Sequence, residues 1–180
     1  QTAGTYNEIV PTNVIAAEAD YADDDLFPAQ PIGFNFIFDG VTYDTYSVSS
    51  NGWICMGSTI SGSFNAFDGV QNNVISALFH DINKADDGTL GATVTGASPN
   101  QVLTIQWKNW GTCCGPNGIY NFQIKLYETS NRIEIVYGPM TYTLDYERTC
   151  QVGLRGESAS DIVCRTTTSN WNATNAAYDA

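Results

Sequence analysis

Hydrophobic and polar positions alternate with a period close to two through much of the chain, the spacing of strands with one face buried and one wet. The strongest signal lies in residues 34–57: Phe-Asn-Phe-Ile-Phe, then Val-Thr-Tyr-Asp-Thr-Tyr-Ser-Val-Ser, then Trp-Ile-Cys-Met-Gly, punctuated by Asp39-Gly40 and Asn51-Gly52. Asp-Gly and Asn-Gly favour type I′ turns, because both central residues there need positive φ. The stretch predicts two consecutive hairpins, a three-stranded meander around which the rest is organised.

Further strands follow from the same pattern. Residues 74–80 form a continuous apolar run, as in a strand buried on both faces. Residues 89–96 and 101–110 flank the turn 97–100, and residues 119–127 and 132–138 flank 128–131. In that second pair Phe122, Ile124 and Leu126 alternate with Asn121, Gln123 and Lys125, which predicts a buried and a wet face. Residues 149–155 and 161–167 form a last pair. Residues 58–73 read as a surface loop in which Phe64 and Phe67 either pack down or stand exposed. No helical period of useful length occurs. About ten strands in one composition predict a single all-β domain, a two-sheet antiparallel β-sandwich of jelly-roll kind. Within residues 1–180 the core spans 32–168 and the tail 169–180. Residues 1–20 form an arm or edge strand, since Pro11 removes a ladder donor between the apolar pairs Ile9, Val10 and Val14, Ile15.

Composition narrows the class. Hydrophobic residues are 43% and charged residues only 14%, with polarity supplied by Thr, Ser, Asn and Gly. That palette suits extracellular β proteins. The net charge of −12 rests on only seven scattered cations, which excludes a basic nucleic-acid patch. No window approaches a membrane span. The chain opens at Gln1 with no signal peptide, as a mature secreted protein or an excised fragment would.

Candidate chemistry is sparse. Asp20, Asp23, Asp24 and Asp25 in one polar stretch, and Asp81, Asn83, Asp86 and Asp87 in another, offer oxygens to a hard cation such as calcium. The plainer reading of both is a solvated acidic turn. Five cysteines without paired C-x-x-C units favour disulfides over zinc. Cys150 to Cys164 is the favoured bridge, between two adjacent strands; Cys113 and Cys114 either join each other or split between partners. The single His80, with no Gly-x-Ser-x-Gly elbow, leaves no recognisable catalytic constellation, and the expectation is a non-enzyme. A sugar-binding sandwich would need exposed stacking aromatics; Trp110, beside the cysteine loop, and Trp171, in the tail, are expected nearest the surface.

The motifs Phe36-Ile-Phe38-Asp-Gly40-Val-Thr-Tyr43, Val48-Ser-Ser-Asn51-Gly52-Trp53-Ile54, Ile75-Ser-Ala-Leu-Phe-His-Asp81, and Asn121-Phe-Gln-Ile-Lys-Leu-Tyr127 before Ile133-Glu-Ile-Val-Tyr137 resemble, in that order, nidogen-like domains. They look closer still to repeat-type surface proteins of gliding, type IX-secreting bacteria. The resemblance implies an extracellular or cell-surface module in adhesion or matrix proteins and carries over no catalytic residues.

An extended arm and an odd cysteine add one expectation: a self-assembling subunit of a cell-surface filament, its arm (Ile9, Val10, Val14, Ile15) adding to a neighbour's sheet edge. The rival expectation is a carbohydrate-binding module with glycan partners.

Overall fold

The structure, a computed structural model, describes residues 4–61, 66–67, 71–113, 118–142, 147–158 and 160–170. Among these, twelve strands and no helix form, in two antiparallel sheets. The strands are β1 (Asn13–Ala16), β2 (Leu26–Phe38), β3 (Val41–Ser49), β4 (Trp53–Met56), β5 (Val74–Phe79) and β6 (Ile82–Thr95). They continue with β7 (Val102–Thr112), β8 (Gly118–Tyr127), β9 (Ile133–Tyr137), β10 (Thr141–Tyr142), β11 (Glu147–Arg155) and β12 (Ile162–Asn170). One sheet runs β1-β6-β7-β8-β10, with β9 also on β8; the other runs β12-β11-β5-β4-β3-β2.

The predicted meander is β2-β3-β4, and its two turns differ. Phe38 pairs Val41 across Asp39 (φ 48) and Gly40 (φ 76), the two-residue type I′ geometry. Ser49 pairs Trp53, so the second connection has three residues, and of its Asn51-Gly52 pair only Gly52 has positive φ. That is a three-residue loop closed by a left-handed Gly, not a type I′ turn. The extra residue has a use: Asn51 is fully buried and turns inward.

Alternation decides the core. Phe34, Phe36 and Phe38 face inward while Ile37 faces out. Tyr46, Ile54, Ile75 and Leu78 of one sheet meet Leu103, Ile105, Trp107, Phe122 and Ile124 of the other. Trp107 and Phe122 stack with centroids 4.9 Å apart. On the far face of the second sheet, Trp53, Cys55 and Val74 form a smaller cluster, against which Phe67 packs down. Phe64 lies outside the described residues.

Two expectations change. Residues 80–88 are not a loop: β6 begins at Ile82, and the acidic run is a bulge inside it, between the pairs Lys84–Trp110 and Thr89–Lys108. Nor is the outward face of β8 wet at Gln123, which is fully buried, as is Gln106 opposite it on β7. A third layer covers that face: the N-terminal arm.

Candidate functional site

The arm is positioned by the first sheet. Register places Gly91 of β6 beside Gln106 of β7, Gln106 beside Gln123 of β8, and Gln123 beside Val136 of β9. These four form a track across the outer face of the sheet. The arm follows it from β9 to the sheet edge, where it becomes β1 and pairs with β6.

Most of its attachment is through backbone. Gln106 accepts from the Ile9 N–H at 3.0 Å through Oε1 and donates to the Ile9 carbonyl at 3.3 Å through Nε2. Gln123 Nε2 donates to the Asn7 carbonyl at 2.7 Å and to Gln106 Oε1 at 2.8 Å, which fixes the orientation of the first amide. Thr12 donates its N–H to the Ala92 carbonyl at 3.0 Å, and Lys125 Nζ donates to the Thr5 carbonyl at 3.4 Å. Side chains supply fit. A Cβ on Gly138 would stand 2.9 Å from the Tyr6 ring, and one on Gly91 would stand 2.6 Å from Pro11, so both glycines are floor for the arm. Lys108 pairs with Glu8 at 2.7 Å. Burial, with Glu8 nearby, pushes the Tyr6 phenol up to about 12.

Of the four arm residues expected to assemble, Ile9 and Ile15 are half-buried against their own domain. Val10 and Val14 are 88% and 56% exposed. Strand β1 is a sheet edge, as Pro11 suggested.

A short hinge joins arm to sandwich. Ala17–Asp20 is a turn in which the Asp20 N–H donates to the Ala17 carbonyl at 3.0 Å and the Ala17 N–H donates to Asp20 Oδ2 at 2.8 Å. Lys84 Nζ donates to the Glu18 carbonyl at 2.8 Å. Beyond it the chain is bound to the sandwich: Asp24 Oδ1 accepts from Asn51 Nδ2 at 2.8 Å, and the Asp25 N–H donates to Ser50 Oγ at 2.9 Å.

The two acidic stretches meet at one corner, where the carboxylates of Asp23 and Asp81 lie with Cys113 Sγ within 4.8 Å of one another. Tyr21 donates to Asp23 Oδ2 at 3.0 Å, while Asp23 Oδ1 is buried without a partner. Asp20, Asp24 and Asp25 are used in local hydrogen bonds, Asp87 accepts from Asn109 at 2.9 Å, and Asp86 is exposed on the bulge. Asn83 pairs in a β-bridge with Asp23. A groove of about 640 Å³ opens beside this corner, lined by Tyr21, Asn83, Lys84, Asp86, Asp87 and Ile119. Calcium takes six to eight oxygens; two carboxylates and a sulfur are a smaller and softer set. The Cys113 sulfur is itself disulfide-bonded, so it offers no thiolate.

The cysteine expectation fails at Cys150–Cys164. Both are free thiols. Cys150 pairs with Thr167 and Cys164 with Gly153, a stagger of three residues, roughly 10 Å along the strand and beyond disulfide reach. Cys150 also points into the core while Cys164 is exposed. Cys114 lies outside the described residues, as does Trp171.

Trp110 is fully buried, contrary to expectation. The spacing Trp107–Trp110 breaks the period of two because β7 shifts register between them, with Asn109 at φ 54. The bulge returns Trp110 to the core side, where Nε1 donates to the Thr89 carbonyl at 3.0 Å. Trp53 and Trp107 are buried too, so none of the three is a sugar platform. His80 holds the Thr149 carbonyl at 2.9 Å, as expected of a strand-end histidine.

The described residues form a two-sheet β-sandwich with its N-terminal arm laid across the outer face of one sheet. A family model described as NIDO related matches residues 1–179, and the chain belongs to that nidogen-related family. No match was found among curated proteins or among solved structures. NIDO-related domains are typically extracellular, and among the described residues no helix is long and apolar enough to cross a membrane.

Proposed function

We propose that this chain is a non-enzymatic, extracellular structural or adhesive module that joins to copies of itself through its N-terminal arm. One observation carries the reading: the arm is seated on the sheet largely by backbone hydrogen bonds to Gln106 and Gln123 and leaves Val10 and Val14 outward. A segment held in this way is an extended ligand already bound to its receptor, the geometry by which peptides join sheets in strand-addition systems. The second sheet adds an open edge, β12, exposed on both faces over residues 162–166. Unpaired edges favour association unless blocked.

Deleting residues 1–16 tests the reading. Electron microscopy and sizing of the intact chain, across concentration and with and without reductant, are expected to find chains or oligomers, and the truncated chain is expected to be monomeric. Circular dichroism of the truncated chain checks that its sheets persist. An intact chain that stays monomeric throughout, or assemblies unchanged by the deletion, would overturn it.

A further inference from the structure

We propose that the track Gly91–Gln106–Gln123–Val136 is a peptide seat whose occupant in the assembled protein is the arm of a second copy, residues 4–12 together with strand β1 on the β6 edge, exchanged through the hinge at Ala17–Asp20. This rests on the reading above and names its contacts.

Three features of the molecule support exchange. The seat is specific in shape yet reads main chain. Gln106 pairs with both the N–H and the carbonyl of Ile9, as a neighbouring strand would, while Gly91 and Gly138 leave room only for Pro11 and Tyr6. Every one of these contacts forms equally well with the arm of another copy, so exchange loses nothing at the seat. The hinge is the second feature. Residues 17–21 are held closed by the two hydrogen bonds between Ala17 and Asp20 and by Lys84 on the Glu18 carbonyl. Opened, five residues reach roughly 17 Å, enough to pass the arm to an adjacent copy but not a distant one. Short hinge loops invite swapping, and opening this one exchanges its three hydrogen bonds for bonds to water. Charge is the third. Glu18, Asp20, Asp23, Asp24 and Asp25 crowd the hinge and its foot with five carboxylates, and an extended hinge spaces them. Exchange is therefore expected to increase at low ionic strength, where repulsion is least screened.

The arrangement predicts opposite effects from two changes. Ala19→Pro places proline at the third position of the Ala17–Asp20 turn and restricts Glu18 away from the helical region, so it opens the hinge and promotes exchange. Gly138→Val pushes the Tyr6 ring off its floor and blocks the seat in either mode.

The experiment uses the full chain with a photo-crosslinking amino acid at Ile9, mixed as equal parts unlabelled and nitrogen-15-labelled protein. The mixture is denatured and refolded together, irradiated, digested and read by mass spectrometry. Crosslinks between residues 4–12 and peptides holding Gln106 or Gln123 are expected in mixed-isotope form whenever assemblies are present. Ala19→Pro is expected to raise the mixed fraction, and Gly138→Val to lower the yield of mixed and single-isotope crosslinks alike roughly tenfold, the scale of overpacking a fitted contact. Adding Tyr6→Ala to Gly138→Val removes the clashing ring and is expected to recover part of the loss, which a folding defect would not. Assemblies with only single-isotope crosslinks would overturn the exchange while leaving self-assembly standing by another contact. A chain that never assembles would overturn both.

Discussion

The side chain of Asn51 accepts a hydrogen bond from the backbone N–H of Ile82 at 2.9 Å, joining the turn of one sheet to the first residue of a strand in the other. Its Nδ2 donates to Asp24 at 2.8 Å, and the carbonyls beside it accept from Trp107 Nε1 at 3.2 Å and from the Ala77 and Leu78 N–H groups at 3.1 and 3.2 Å. The Ser50-Asn51-Gly52 loop is thus a buried polar hub. Asn51→Leu keeps the branched heavy-atom shape and strands the Ile82 N–H, which costs about 3 kcal/mol. Urea unfolding is the measurement, with a lower midpoint at unchanged slope; a loss below about 1 kcal/mol would mean the hub is not structural.

Among the described residues the free thiols Cys55, Cys150 and Cys164 differ in access. Burial pushes Cys55 up to about 12 and Cys150 up to about 11, whereas Cys164 stands exposed on edge strand β12. Because the thiolate is the reactive form, a raised value keeps the two buried groups protonated and inert well above neutral pH. An aromatic disulfide reagent at pH 8 is expected to titrate one of the three quickly, and the other two only on unfolding. Cys164→Ser should remove the fast phase. A second fast thiol that survives this substitution would mean that Cys55 or Cys150 is reached in the native state.

The scaffold was readable in the residues and the arm seat was not, for the same reason. Phe34, Phe36 and Phe38 or Phe122, Ile124 and Leu126 announce a buried face within a few residues, so strands and hairpins follow from local pattern. Gln106 and Gln123 occupy the polar positions of that pattern and read as solvent-facing. They are buried by residues 97 and 116 positions earlier, a separation to which no local rule is sensitive. Two glutamines directly opposite each other on neighbouring strands were the available signal. Trp110 is the opposite case: strict alternation with Trp107 would face it outward, and the shift at Asn109 returns it to the core. The acidic run 83–88 read as a loop because its polarity hides a bulged strand.

Tyr6 couples arm seating to pH. Its phenol is raised from 10.0 to about 12 by burial first and by Glu8 second. A group whose folded value is raised stabilises the folded form fully below its unfolded value and loses that contribution as pH rises through the folded one. Arm seating is therefore expected to hold below pH 10 and weaken between 10 and 12. The difference in ultraviolet titration between the wild type and Tyr6→Phe should centre near 12. A centre near 10 would place Tyr6 in solvent, with the arm unseated.

The two hairpin turns of the meander make a last comparison, since both end in glycine with positive φ. At Gly40 (φ +76) an added Cβ meets nothing within 4 Å, so Gly40→Ala suffers only the left-handed backbone strain of an L-residue, about 1–2 kcal/mol. At Gly52 (φ +81) the same atom would stand 2.3 Å from the Leu78 carbonyl oxygen, which itself lies in the sandwich core. That oxygen cannot yield without moving β5, so Gly52→Ala combines the strain with overpacking, a total of about 3–5 kcal/mol. Thermal unfolding of the two variants side by side is the measurement. The expected order is wild type, then Gly40→Ala, then a much less stable Gly52→Ala. Equal losses would mean that the Ser50–Gly52 loop does not press on β5, and the buried hub around Asn51 would lose its geometric basis with it.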